Sequence, residues 1–93
     1  MLQMILKITG KVQKVGFRYS VVNHVLTQDL PIVGQVRNLP DGSVEVIAEG
    51  DIESLKNLHR FCTTGPAGAE VREVTQDLVQ IKKLSFSEFT LVS

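Results

Sequence analysis

Gly10-Lys11-Val12-Gln13-Lys14-Val15-Gly16-Phe17-Arg18 marks the point at which the hydrophobic period of this chain changes. Upstream, Leu2, Met4, Leu6, Ile8, Gly10 and Val12 alternate with Gln3, Lys7, Thr9, Lys11 and Gln13, Ile5 being the exception. Period two with one apolar face predicts a strand over 2–13, half-buried beneath helices. Downstream, Phe17, Val21 and Val25 recur every four residues with Val22 and Leu26 beside them, which predicts a helix from Phe17 to about Gln28. Its valines are poor helix formers, so packing rather than propensity has to hold it. A strand, a glycine-bearing loop and a helix start leave backbone N–H groups unpaired, where the helix dipole favours negative charge. Arg18 adds a planar fork of donors suited to a phosphate or carboxylate. The stretch is a candidate oxyanion cradle.

Working outward, Asp29-Leu30-Pro31 ends the helix, because the residue before a proline is pushed out of the helical region. Ile32 to Asn38 reads as a second strand, with Gly34 and Val36 on one face and Gln35 and Arg37 on the other. Leu39-Pro40-Asp41-Gly42 is a turn signal. Ser43 to Glu49 is a third strand, Val44, Val46 and Ala48 alternating with Ser43, Glu45 and Glu49, and the two strands form a hairpin. Asp51 is a suitable N-cap for a second helix whose apolar stripe is Ile52, Leu55, Leu58 and Cys62. After a loop over Thr63 to Gly68, residues 70–81 read as a fourth strand with a bulge, since Val71 and Val74 break strict alternation. A short last strand spans Phe86 to Val92.

The order is β-α-β-β-α-β with an extra C-terminal strand. Strands apolar on one face require helices on one side only. This predicts an α+β, ferredoxin-like sandwich: an antiparallel sheet with two helices on one face.

The chain has 93 residues, 43% hydrophobic and 22% charged, which fits one domain over 1–93 with one compact core. Its site is therefore expected to be a surface loop or shallow groove. Ten basic and ten acidic side chains give net charge 0, which argues against nucleic acid as a partner. A lone cysteine, Cys62, can form no intrachain disulfide. The first residues lack the features of a signal peptide, and no segment is long enough to span a membrane. A cytoplasmic, monomeric protein is the expectation.

The loop and the hairpin resemble the two signatures of the acylphosphatase family. The first is similar to Gly-x-Val-Gln-Gly-Val-Gly-Phe-Arg, here Gly10 to Arg18. The second is similar to Gly-x-Val-x-Asn-x-x-Asp-Gly-x-Val-Glu, here Gly34 to Glu45. Ala48-Glu49-Gly50 and Gly65-Pro66 also sit where the family tends to have them. The resemblance implies metal-independent hydrolysis of acyl phosphates to a carboxylate and inorganic phosphate, with no cofactor. It implies that Arg18 and the backbone of Lys14, Val15, Gly16, Phe17 and Arg18 bind the phosphoryl group, and that Asn38 holds the attacking water. Three positions depart from the pattern. Lys14 replaces a glycine, and if its φ is positive the lysine is strained by roughly 1–2 kcal/mol. Gln35 stands where an aromatic is common. The segment between Arg18 and Asn38 is slightly longer than usual around Thr27 to Ile32, where a loop is expected to absorb it.

Residue chemistry suits these roles. Preorganised amides and one arginine stabilise charge on a phosphoryl group at little reorganisation cost. An asparagine amide is no base, but it orients water by donating and accepting. A mixed anhydride has a good leaving group, so positioning can suffice, with a substrate phosphate oxygen as the proton acceptor. His24 and His59 read as helix-surface residues, Cys62 as a small core hydrophobe, and Asp41 and Gly42 as hairpin geometry. No His/Cys/Asp cluster has metal-ligand spacing. Two alternatives belong to other classes. One is a non-catalytic anion- or metabolite-binding module on the same fold. The other is an RNA-binding domain, which would need stacking aromatics on the central strands.

Overall fold

The structure, a computed structural model, describes residues 1–93. Strand β1 (Leu2–Lys11) leads through the Val12–Gly16 loop into helix α1 (Phe17–Thr27). The hairpin strands β2 (Val33–Asn38) and β3 (Val44–Gly50) precede helix α2 (Ile52–Thr64). The long strand β4 (Glu70–Gln80) and the short β5 (Phe89–Leu91) complete one sheet in the order β4-β1-β3-β2-β5.

The alternation fixes which face meets the helices. Met4, Leu6 and Ile8 of β1 lie opposite Ala48, Val46 and Val44 of β3, and Val46 lies opposite Val36 of β2. All are buried and form one cluster with Phe17, Val21 and Val25 of α1 and Leu55, Leu58 and Cys62 of α2. Truncating Leu55 or Leu58 would cost about 2–5 kcal/mol, against roughly 1–2 kcal/mol for one strained loop residue. The predicted bulge is present: Thr9 pairs with Glu73 and Gly10 with Val71, leaving Arg72 over.

The turn between β2 and β3 follows from its residues. Gly42 donates to the Leu39 carbonyl at 3.1 Å and takes φ 94, and the Leu39 amide then donates to the Ser43 carbonyl at 2.8 Å. This is a three-residue loop closed by a glycine bulge. The Asp41 carboxylate accepts from the Ser43 amide at 3.0 Å and pairs with Lys7 at 2.8 Å. Lys7, followed by the Ser43 hydroxyl and amide, holds the Asp41 carboxyl well below the usual range.

Four details differ from the sequence reading. Leu26 is exposed: at 100° per residue it lies about 140° from the centre of the Phe17–Val21–Val25 stripe. Ile52 opens α2 and is exposed rather than part of the stripe. The last strand is only Phe89–Leu91, and it pairs in parallel with β2, so the sheet is mixed. Since β4 and β5 occupy opposite edges, the segment between them has to cross one end of the sheet. That crossing buries Glu49, whose alternation alone would expose it; its residual exposure is 0%.

Candidate active site

Helix α1 begins at Gly16, whose φ of 75° and ψ of 21° are left-handed and whose carbonyl accepts from the Ser20 amide at 2.9 Å. A side chain at this φ would be strained, so glycine suits the position. No side chain caps this end, and its first turn holds no acidic residue. Helix α2 is the contrast: Asp51 accepts from the Ser54 amide at 3.0 Å, and Glu53 follows in the first turn. The Asp51 carboxyl is held below its ordinary range, first by the Ser54 hydroxyl and then by the Ser54 amide. One helix N-terminus is satisfied by its own chain and the other is left bare.

The bare end is enlarged by the loop before it. The amides of Lys14, Val15 and Gly16 donate to no protein acceptor. Those of Phe17, Arg18 and Tyr19 lie in the first turn, where no intrahelical partner exists. Lys14 takes φ 64°, so the backbone passes through the left-handed region at Lys14 and again at Gly16. Such turns aim successive amides into an anion-binding concavity. Lys14 is thus a lysine in a conformation that favours glycine.

Of the predicted site residues, Lys14, Gly16, Phe17, Arg18 and Asn38 line one cavity of about 120 Å³, together with Val12, Tyr19 and Leu91. Val15 is not on its wall; the side chain packs against the core. Phe17 is buried and holds the helix start down, with its ring against Gly65, where an added Cβ would come within 2.6 Å of the ring. The chain between α1 and β2 turns tightly at the end of α1. Asp29, at φ 52°, donates to the Leu26 carbonyl at 3.1 Å, and Leu30 donates to the Val25 carbonyl at 3.0 Å. These bonds form a Schellman cap, and the strand that follows brings Asn38 to the cavity.

Two contacts that the sequence reading did not supply hold the cavity together. Gln13 Nε2 donates to the Leu39 carbonyl at 2.8 Å and to the Ser43 carbonyl at 2.9 Å, tying the loop to the hairpin that carries Asn38. Arg18 Nη1 donates to the Val92 carbonyl at 2.8 Å, and the Val92 amide donates to the Val36 carbonyl at 2.9 Å. Alternation turns Gln13 away from the core, but no local pattern says which carbonyls it reaches across the sheet. Nor does a helix-start arginine reveal a distant carbonyl as its partner.

The remaining reactive groups lie elsewhere. His24 Nε2 is 2.7 Å from Asn57 Oδ1, and its ring stacks on Phe61 with centroids 4.3 Å apart, so it has partners that the sequence did not reveal. Burial pushes the Cys62 thiol up to about 12. A larger groove of about 440 Å³ at the opposite end of the sheet gathers no lysine or arginine. What the cavity offers is an array of backbone donors, a fixed guanidinium and one carboxamide, a set that suits a phosphoryl oxygen cluster with a water beside it.

Residues 4–90 match the family model for acylphosphatase. This chain belongs to the acylphosphatase family. It is 49% identical over 77 residues to an acylphosphatase of Caldanaerobacter subterraneus subsp. tengcongensis, covering 83% of each chain. It is 50% identical over 74 residues to an acylphosphatase of a Synechococcus strain, covering 80% of this chain and 87% of the other. The crystal structure of acylphosphatase from Bacillus subtilis superposes with a TM-score of 0.90 at 29% identity, over 100% of both chains. The acylphosphatase fold accounts for the whole architecture described above, including the two helices on one face of a five-stranded sheet.

Proposed function

We propose that this chain hydrolyses acyl phosphates without a metal, releasing a carboxylate and inorganic phosphate. The observation that carries the proposal is the meeting of an uncapped helix N-terminus, Arg18 and Asn38 on one small cavity. The phosphoryl oxygens would sit against the amides of Lys14 to Arg18. One Arg18 N–H is committed to Val92, which fixes the guanidinium and leaves its other donors for the phosphoryl group. As the P–O bond to the acyl oxygen lengthens, negative charge gathers on donors already in place. Asn38, held beside them at the end of β2, orients the water for attack in line with the leaving carboxylate. The water's proton passes to a phosphate oxygen, so no protein base is needed. The curated relatives are named as enzymes, which favours turnover over a binding module.

Acyl phosphate is the small-molecule partner in this proposal, and nucleic acid is not one. The central strands β1 and β3 carry no aromatic residue, and the net charge is 0. No helix is long and apolar enough to cross a membrane. A monomer in the cytoplasm suits a cavity built from one chain and a single buried thiol.

The test is phosphate release from a simple acyl phosphate in the presence of chelator. Arg18→Ala should weaken inorganic phosphate binding and turnover together. Asn38→Ala should lower kcat by about 10²–10³ while phosphate still binds, the loss typical of one positioned transition-state amide. No release above the spontaneous rate at micromolar protein would refute hydrolysis, and equal loss of phosphate binding in both variants would refute the division of roles.

A further inference from the structure

The segment between β4 and β5 crosses over the one fully buried carboxylate of the molecule, Glu49 of β3. Glu49 lies at the end of β3 away from the cavity, on the sheet face opposite the helices. Its Oε2 accepts from Gln3 Nε2 at 2.7 Å, and its Oε1 accepts from the Ser85 amide at 2.6 Å. Burial acts to raise this carboxyl, but the Ser85 amide, Gln3, the Ser85 hydroxyl and the Phe86 amide outweigh it and keep it below the ordinary glutamate range. Burying a charge is costly unless its partners are worth more than the lost hydration. Every one of these partners except Gln3 belongs to the crossing segment. The arrangement fastens that segment to the sheet.

From Ser85 the chain continues to the cavity. The Glu88 carbonyl accepts from the Gly34 amide at 3.0 Å, and β5 then runs parallel to β2. Both strands point to the end where Asn38 sits, and β5 delivers the Val92 carbonyl to Arg18. Val92 is fixed from its other side by Val36. Glu49 and Arg18 thus lie at the two ends of one continuous, hydrogen-bonded stretch.

We propose that Glu49 is a positioning residue for the phosphoryl site: by clamping the Ser85 amide it sets the course of β5, and so the place of the Val92 carbonyl that orients the Arg18 guanidinium. This rests on Arg18 being the phosphoryl ligand. Phosphate titration of Arg18→Ala against the unaltered protein tests that role separately, and the guanidinium spectrum of Arg18 reports positioning whether or not phosphate binds.

The experiment compares Glu49→Ala, Glu49→Gln and a chain ending at Leu91, each at a temperature where circular dichroism shows it folded. The readouts are the Kd for inorganic phosphate, the KM and kcat for an acyl phosphate, and the ¹⁵N guanidinium resonances of Arg18. Glu49→Ala should raise phosphate Kd and KM about fivefold to tenfold while kcat changes less than twofold, and the Arg18 Nη resonances should merge as the side chain begins to rotate. Glu49→Gln keeps an acceptor for Ser85 and should restore both constants to within twofold. The chain ending at Leu91 loses the Val92 carbonyl and should show the same Kd increase with Glu49 intact, which keeps the test decisive if Glu49→Ala does not fold. In an Arg18→Ala background, Glu49→Ala should leave phosphate Kd unchanged. An unchanged Kd in folded Glu49→Ala, an unaltered Arg18 spectrum, or a further loss in the Arg18→Ala background would each overturn the proposal. So would an unchanged Kd in the shortened chain.

Discussion

Two residues other than glycine take left-handed backbone angles, Lys14 at φ 64° and Asp29 at φ 52°. Both are strained by the contact between Cβ and the following carbonyl, which is worth roughly 1–2 kcal/mol. They differ in what the strained turn serves. Asp29 only closes α1, so Asp29→Gly should raise stability by about 0.5–1 kcal/mol in urea unfolding and leave acyl phosphate turnover unchanged. Lys14 lines the cavity, and Lys14→Gly both relieves strain and removes a cation from the anion's surroundings. The same unfolding measurement should show a comparable gain, but phosphate Kd should rise about twofold to threefold, and the rise should shrink with added salt. A loss of stability in Lys14→Gly would mean that the lysine makes a compensating contact. The sequence made this residue conspicuous because a family glycine was replaced. It could not state the φ that makes the replacement costly.

At the scale of elements, the site is a junction between the end of β1 and the end of the β2–β3 hairpin. Periodicity made both legible: alternation stops after Val12, helical spacing starts at Phe17, and Pro40-Asp41-Gly42 announces the turn beyond Asn38. What joins the two is Gln13, with one amide nitrogen reaching two carbonyls of the turn. A cross-strand side chain has no local sequence signature, because its partners are chosen by sheet register. Gln13→Ala leaves both carbonyls with their backbone donors, so the fold should survive with a cost of about 1 kcal/mol. The hairpin would then be free to drift relative to the loop. The expected result is a tenfold or greater fall in kcat with phosphate Kd changed less than twofold, measured by steady-state kinetics and titration. A Kd loss as large as the kcat loss would place the effect on the loop rather than on Asn38. The burial of Glu49 was illegible for a related reason: alternation describes two faces, not the segment that crosses one of them.

The whole molecule carries three carboxylates below their ordinary range, at Asp41, Glu49 and Asp51, each held by hydrogen bonds or a cation that exist only when folded. Depressed values in the folded state mean that their contribution is complete above the unfolded values of 3.8 for aspartate and 4.5 for glutamate, and is lost as pH falls through the folded values. The urea midpoint should therefore be flat from neutrality to about pH 5 and fall below it, and Asp41→Asn should make the fall shallower. A midpoint that declines already above pH 6 would point to another group. The strand order has a consequence in time. The β2–β3 hairpin closes over three residues, an event of about 1–10 μs, so Asn38 can reach its place early in refolding. The carbonyl that steadies Arg18 arrives only after β4 has paired with β1, Leu2 against Gln80, and the chain has crossed back to the far edge. Non-local pairings of this kind form late. A refolding chain should therefore recover its helical dichroism before it recovers phosphate affinity, and in that interval the helices exist before the Val92 carbonyl has met Arg18.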